Sequence, residues 1–158
     1  MRKLSDAPKY PRDAIALLQA DHRAVEDFFR QYQHATDRPT REHLVDQVCA
    51  ALERHAHLEE TVFYPALEAA ADPAGDTLVA DARQDHHIIK DLIVELEDVY
   101  GKAFDAKFRE LMHTVQHHVY EEECALFPKA EQILGEQLAD LLDEMVECQQ
   151  HLTASARQ

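Results

Sequence analysis

Apolar residues recur every three or four positions along most of the chain, which is the spacing of an amphipathic α-helix. Four long stretches show this pattern, and the first runs from about Pro11 to Ala35. The positions on these four faces are Ile15, Leu18, His22, Val25, Phe29 and Tyr32; Leu44, Val48, Leu52, His55, Glu59 and Val62; Val79, Ala82, His86, Ile89, Ile93, Leu96 and Tyr100; and Phe104, Phe108, Leu111, Val115, His118 and Glu122. The pattern therefore predicts four long helices.

The breaks between these stretches contain residues that turn or cap a chain. In the first break Pro39 restricts the residue before it, and Thr40 is able to cap the second helix. The sequence Asp72-Pro73 followed by Gly75-Asp76 forms the second break. Gly101 is expected to end the third helix, because glycine readily adopts the left-handed conformation just past a helix.

The ends of the second and fourth helices each carry a proline, and a fifth segment follows. Pro65 and Pro128 predict kinks or helix ends, since proline lacks the backbone donor that a helix interior needs. After Gly135 a shorter segment is expected to pack across one end of the bundle. Its apolar positions are Leu138, Leu141, Met145 and Leu152.

Composition supports a single helical domain. The 158 residues include only three glycines and no tryptophan, and a chain of this length buries a core without disulfide support. We expect residues 1–10 to form an N-terminal tail and residues 11–158 to form the domain. The three cysteines, Cys49, Cys124 and Cys148, show no C-x-x-C spacing, and their odd number argues against a disulfide framework. A reducing cytoplasm is the expected location.

The charge excludes some partners. A formal net charge of −15 without a basic stripe argues against nucleic acid. The polar stretch Met1–Tyr10 lacks the apolar core of a signal peptide, and no later stretch is long and apolar enough to span a bilayer. The remaining expectation is a monomer or homodimer that acts on a small molecule.

Six polar side chains interrupt the apolar faces, and they occur in an internal repeat. His55-x-x-x-Glu59 and His118-x-x-x-Glu122 each place an imidazole and a carboxylate on one helix face. His22 and His86 precede these motifs by 33 and 32 residues, so a helical hairpin is used twice. Burying two carboxylates beside four imidazoles without compensation costs several kcal/mol per charge. A cation is therefore expected among them.

The other seven histidines are expected on the surface. His57 lies about 200° around its helix from His55, and His87 and His117 lie about 100° from the apolar faces. His117 with Glu121 offers a rival motif, but apolar steps of seven favour His118 and Glu122. The remaining four are taken as ordinary exposed residues: His34, His43, His113 and His151.

The order His22, His55-x-x-x-Glu59, His86, His118-x-x-x-Glu122, with Glu-Glu-x-x-x-(Tyr or Phe)-Pro endings, resembles the hemerythrin-like family, or HHE cation-binding domains. The resemblance covers about residues 11–150. It implies an all-α, up-down-up-down four-helix bundle, to which the fifth segment adds a short C-terminal helix. It also implies two iron ions in the core, with six ligands carried over by position: His22, His55, Glu59, His86, His118 and Glu122.

One position departs from the oxygen-carrying hemerythrins, which have a second histidine four residues after the first on helix three. Here that position is Lys90, so the chain resembles the branch with four histidines and two carboxylates. Glu26, four residues after His22, and Lys90 lie near the site by helical angle. Each is expected to support a ligand, with direct metal ligation as the alternative.

The donor set favours reactive iron chemistry. If Glu59 and Glu122 each bridge two metals, the protein supplies four atoms per metal, and one bridging oxide or hydroxide leaves about one open position on each ion. Nitrogen and oxygen ligands without thiolate suit iron, with manganese or zinc less favoured. Two functions stay open: a di-iron enzyme that removes hydrogen peroxide or reacts with dioxygen, and a non-catalytic sensor or buffer of oxygen, nitric oxide or iron.

Overall fold

The computed structural model describes residues 10–157, which form helices joined by short links. The elements in chain order are α1 (Ala14–His34), α2 (Arg38–Leu58), a first π-helical segment (Glu59–Phe63), α3 (Tyr64–Ala69), α4 (Pro73–Leu96), α5 (Gly101–Glu121), a second π-helical segment (Glu122–Leu126), α6 (Phe127–Leu134) and α7 (Gln137–Ala156). These residues contain no strand, so the predicted all-α class is confirmed. Of the predicted tail, residues 1–9 lie outside this range.

Aspartate side chains begin three of the helices. Asp13 accepts a hydrogen bond from the Ala16 amide, and Asp72 accepts one from Gly75, each at 2.9 Å. At α2 the cap is Asp37, which accepts from the amide of Thr40 at 3.0 Å. The expectation that Thr40 caps α2 is therefore wrong. Pro39 fits inside the first helical turn, where an amide donor is not needed, and the helix begins earlier.

The link between α4 and α5 also differs from the prediction. Gly101 was expected to end the third predicted helix, which is α4 in the structure. Instead, α4 ends at Leu96, and Gly101 is the first residue of α5. Leu96 is the last buried residue of α4, and Tyr100 is 83% exposed. The apolar contacts of α4 therefore end about one turn before Gly101. The φ of +61° at Gly101 belongs to the turn into α5.

The helices that carry the His-x-x-x-Glu motifs do not end at their prolines. Each passes through a π-helical segment and continues as a short α-helix with proline in its first turn. In the first π segment the Tyr64 amide donates to the carbonyl of Glu59, five residues earlier, and in the second Phe127 donates to Glu122. Glu59 and Glu122 are thus the first residues of the two π segments.

The helices pack as two hairpins, α1 with α2 and α4 with α5. The C-terminal helix α7 contacts α1 and α2 and covers the end of the bundle where α1 begins. It has 20 residues and is not short, because helix-forming residues continue beyond Met145, its last buried position. Within residues 10–157 no helix has the length and apolar character needed to cross a membrane.

Two apolar clusters fill the core, one at each end of the bundle. The first contains Leu18, Leu58 and Leu126, and the second contains Val25, Leu52 and Val115. His22 lies between Leu18 and Val25 on α1, and His55 lies between Leu52 and Leu58 on α2. A polar layer therefore separates two apolar cores.

Candidate metal centre

All six predicted ligands lie in the polar layer between the two apolar clusters. Among residues 10–157 they are the buried polar or charged side chains, with exposed fractions from 0% for Glu59 to 7% for His22. Each of α1, α2, α4 and α5 contributes one histidine, and each π segment contributes one glutamate. The periodicity of the faces, together with the start of each π segment, directs the six side chains inward.

The histidines form two pairs. The Nε2 atoms of His22 and His55 lie 3.1 Å apart, and those of His86 and His118 also lie 3.1 Å apart. We call the site beside the first pair the His22–His55 position, and the site beside the second pair the His86–His118 position. Each pair combines one histidine from the first helix of a repeat with one from the second helix.

The two glutamates connect the pairs. Glu59 contacts Nε2 of His55 through Oε1 and lies 3.5 Å from Nε2 of His86 through Oε2. Glu122 Oε1 lies 3.4 Å from Nε2 of His22 and 3.1 Å from Nε2 of His118. Each carboxylate therefore reaches both histidine pairs, as a ligand that bridges two metals must.

The outward nitrogen of each histidine meets a further carboxylate. His55 Nδ1 lies 3.0 Å from Asp21, and His118 Nδ1 lies 3.2 Å from Asp85. His22 Nδ1 lies 3.0 Å from Glu123, and His86 Nδ1 lies 2.9 Å from Glu60. Such partners hold the proton on Nδ1 and leave Nε2 free to bind a metal.

Sequence reasoning missed these four carboxylates, although the repeat contained a signal for them. Asp21 and Asp85 directly precede His22 and His86, and Glu60 and Glu123 directly follow the motif glutamates. The pair Asp-His occurs in both repeats, and so does Glu-Glu, which in the second repeat is part of the run Glu121-Glu122-Glu123. Their duplication could have marked the aspartate before each histidine, and the glutamate after each motif glutamate, as part of the same site.

Tyr64 is the other functional residue that the sequence did not reveal. Its hydroxyl is fully buried, donates to Oε2 of Glu59 or to Oε2 of Glu122 at 2.9 Å, and lies 3.2 Å from Nε2 of His86. Burial, together with the charges of Glu59 and Glu122, raises the pKa of this phenol above its usual range. Tyr64 is therefore a neutral hydrogen-bond donor at the centre of the site.

The structure places the two supporting candidates differently. Lys90 is exposed, and its Nζ donates to both oxygens of Glu60, at 2.8 and 2.9 Å. Lys90 therefore acts on His86 indirectly, because it binds the carboxylate of Glu60, which contacts His86. Glu26 is exposed, and among residues 10–157 it makes no side-chain hydrogen bond or ion pair. His117 of the rival motif is also exposed and pairs with Glu121 at 3.3 Å.

Strong electrostatic coupling holds the site together. Burial alone lowers the pKa of His55, but the charge of Glu59 and the hydrogen bond to Asp21 outweigh it and hold this pKa well above its usual range. Burial opposes the charge of His118 too, yet Glu122 and Asp85 raise its pKa to about 10. Burial raises the pKa of Glu59, but His55 overcomes this effect and lowers it well below its usual value. Positive charge beside the buried carboxylates thus stabilises their ionised form.

The residues present fit metal ions. Oε1 of Glu59 and Oε1 of Glu122 are fully buried and accept no hydrogen bond in the described part of the chain. One ligand atom from each of His22, His55, Glu59 and Glu122 lies within 4.8 Å of the others, and the same holds for Glu59, His86 and His118. Two uncompensated carboxylate oxygens among four imidazole nitrogens form a donor set for cations.

Comparison with known proteins agrees with this arrangement. A helical bundle whose paired motif helices hold a buried histidine and glutamate cluster is a cation-binding bundle. The family model described as hemerythrin HHE cation binding domain matches residues 13–130. The chain therefore belongs to the hemerythrin HHE cation-binding domain family, and the predicted resemblance is confirmed.

A curated relative supports the same family. An uncharacterized hemerythrin-like protein of Schizosaccharomyces pombe is 29% identical to this chain over 119 residues. The matched region covers 74% of this chain and 59% of that protein, so the chain spans less than two thirds of the relative's length. No solved structure matches the chain.

Proposed function

We propose that this protein binds two iron ions in its polar layer and reacts there with a small oxidant, hydrogen peroxide or dioxygen. The observation that carries the proposal is the pair of glutamates that each reach both histidine pairs while keeping a buried oxygen without a hydrogen-bond partner. His22, His55, Glu59, His86, His118 and Glu122 would hold the ions.

The donor chemistry favours iron over the alternatives. Imidazole with carboxylate and no thiolate suits iron or manganese, whereas structural zinc sites are closed, tetrahedral and often thiolate-rich. When bound, a pair of iron ions supplies redox chemistry, because each ion cycles between its ferrous and ferric states. In a catalase-like reaction two molecules of hydrogen peroxide give one dioxygen and two waters, so no external reductant is consumed.

A small cavity beside the site limits what can react. It has a volume of about 30 Å³ and is lined by the four histidines of the site, by apolar residues and by the charged residues Asp21, Glu53 and Lys90. On this measure a volume of roughly 10–15 Å³ holds one water, so the cavity accommodates a molecule of two or three heavy atoms. A small oxidant or gas fits beside the histidine nitrogens, and an organic substrate does not.

The chain's own residues orient the ligands and exclude water. Asp21, Asp85, Glu60 and Glu123 fix the ring orientation of the four histidines, with Nδ1 toward the carboxylate and Nε2 toward the centre of the site. The Tyr64 hydroxyl donates to the carboxylate of Glu59 or to that of Glu122, and so holds a proton within the site. The apolar clusters above and below the layer keep bulk water away.

Metal analysis and peroxide turnover test the proposal together. We expect two irons per chain, an absorption band in the near ultraviolet from an oxide-bridged pair, and oxygen evolution when peroxide is added to the iron-loaded protein. His118→Ala should abolish these properties. His117→Ala is the matched control, because His117 is the exposed neighbour on the same helix and should leave them unchanged. Fewer than two irons in the saturated parent protein would contradict the proposal.

The character of the cavity favours a second function, the reversible binding of dioxygen or nitric oxide without turnover. Val25, Leu52, Ile89, Ile93 and Val115 make its wall largely apolar, which suits a weakly polar gas better than peroxide. This function predicts a stable, reversible absorption change with the gas and no oxygen evolution from peroxide. The same preparation thus distinguishes a sensor or buffer from an enzyme.

A further inference from the structure

The two halves of the metal centre have matching ligands but unequal surroundings. The repeat relates His22 to His86, His55 to His118 and Glu59 to Glu122. Two nearby positions break this symmetry: Tyr64 corresponds to Phe127, and Lys90 corresponds to Glu26. Metal ions held by equivalent ligands therefore meet different hydrogen bonds and different charges.

Tyr64 occupies carboxylate oxygens on one side of the centre. Its hydroxyl bonds Oε2 of Glu59 or of Glu122 and lies 3.2 Å from Nε2 of His86. Phe127, its counterpart, stacks against the ring of His22 with centroids 5.7 Å apart and donates no hydrogen bond. A metal at the His86–His118 position must compete with a phenol for oxygen ligands, and a metal at the other position need not.

Of the two carboxylate oxygens without partners, Oε1 of Glu59 faces the His22–His55 position and Oε1 of Glu122 lies between the two positions. Oε1 of Glu59 contacts His55, and Oε1 of Glu122 lies 3.4 Å from His22, although it also lies 3.1 Å from His118. Four residues converge at the His22–His55 position, against three at the His86–His118 position. The first of these positions thus offers the more complete set of free donors.

Charge favours the same position. Lys90 neutralises Glu60, the carboxylate behind His86. The corresponding carboxylate behind His22 is Glu123, which within residues 10–157 has no lysine or arginine partner. The position equivalent to Lys90 holds an acid, Glu26. The surroundings of the His22–His55 position are therefore more negative and attract a cation more strongly.

We infer that the two metal positions fill in order. The His22–His55 position binds the first ion tightly, and the His86–His118 position binds the second ion more weakly and exchanges it. This inference rests on the proposed function, because it requires that the protein bind two ions.

An anaerobic titration of the metal-free protein with Fe(II), in competition with a coloured chelator, tests the order. We expect two binding steps separated by about tenfold or more in free Fe(II), since partners behind a ligand change metal affinity by roughly 10–100-fold. His118→Ala should keep the tight step, and His55→Ala should lose it. Saturation below two ions contradicts the proposed function itself, whereas two ions bound in one step with equal affinity contradict only the order.

Exchanging the asymmetric residues provides variants with an intact ligand set. Lys90→Glu should tighten the second step by roughly tenfold, and Glu26→Lys should weaken the first by a similar factor. Both positions are exposed, so circular dichroism should show an unchanged fold. If Lys90→Glu leaves the affinity of the second step unchanged and Glu26→Lys leaves that of the first step unchanged, the charge argument is wrong.

Tyr64→Phe makes the first repeat match the second at this position. We expect the second step to tighten, because the phenol no longer competes for Oε2 of the two glutamates. A weaker second step would show that the phenol is itself a ligand, and would overturn the argument that it competes with the second ion.

Discussion

Each histidine of the site has two nitrogens with separate tasks. In His118, Nε2 faces Glu122 and His86, while Nδ1 meets Asp85. A buried imidazole with one unpartnered nitrogen would lose a hydrogen bond and would be free to adopt the wrong tautomer. The outer carboxylates therefore decide whether four buried histidines act as ligands.

We expect Asp85→Asn to weaken metal binding without unfolding the protein. Asparagine keeps the size of the side chain but not the charge that holds the proton on Nδ1 of His118, so the affinity for Fe(II) should fall by roughly 10–100-fold. Asp91→Asn on the same helix is the matched control, because Asp91 is exposed. Equal iron content in the two variants after dialysis against a chelator would refute this role of Asp85.

The cysteines should differ in reactivity. Burial, followed by the charges of Glu53 and Asp46, raises the pKa of the Cys49 thiol to about 12. At pH 8 a thiol of that pKa is roughly one part in ten thousand thiolate, and only the thiolate is nucleophilic. Iodoacetamide should therefore label the exposed Cys124 well before Cys49, and labelling of Cys49 should increase as the pH rises. Peptide mapping by mass spectrometry measures both rates, and equal rates at pH 8 would contradict this expectation.

The sequence predicted the inward residues better than their partners. Helical steps place His22 and Glu59 on faces that are otherwise apolar, and burial of a polar residue there is visible from spacing alone. Asp21 and Tyr64 could not be recognised in this way. Asp21 lies inside α1 but about 100° around the helix from His22, off the apolar face. Tyr64 is indistinguishable in pattern from a core aromatic until the neighbouring helices are assembled.

At the scale of elements, we expect the cap of α2 to contribute measurably to stability. Asp37 accepts from both the amide and the hydroxyl of Thr40, at 3.0 and 2.7 Å. Asp37→Ala should lower the free energy of unfolding by about 1 kcal/mol, as is usual for a lost N-cap. Asp46→Ala, at an exposed position inside the same helix, should be neutral or slightly stabilising. Urea unfolding of the two variants measures the difference, and equal midpoints would contradict it.

The π segments show where prediction from the sequence stops. Pro65 and Pro128 correctly signalled disturbed backbone hydrogen bonding, but the sequence did not distinguish a break from a widened turn. In a π segment the backbone hydrogen bonds join residues five apart instead of four apart, and the helix is able to continue through the proline. It also sets the direction of Glu59 and Glu122, so the same local feature preserves the helix and shapes the site.

At the scale of the whole molecule, the polar layer divides the core and makes folding depend on what the layer binds. The two apolar clusters consist of buried residues, and the layer between them contains two carboxylates and four imidazoles. Protons on His55 and His118 offset part of the buried negative charge in the metal-free protein. When these histidines are neutral at Nε2, Oε1 of Glu59 and Oε1 of Glu122 have no hydrogen-bond donor, which is a cost that bound cations remove.

We therefore expect removal of metal to destabilise the entire bundle rather than one helix. A ligand that binds only the folded state adds about 2.7 kcal/mol of stability at a free concentration 100 times its dissociation constant. Iron-loaded protein should melt at a higher temperature than chelator-treated protein, in a single transition followed at the helical circular dichroism signal. His118→Ala should reduce this difference without abolishing it, because the tight position is retained, and His117→Ala should keep it in full. A melting temperature that does not respond to metal in the parent protein would mean that the polar layer is satisfied without cations.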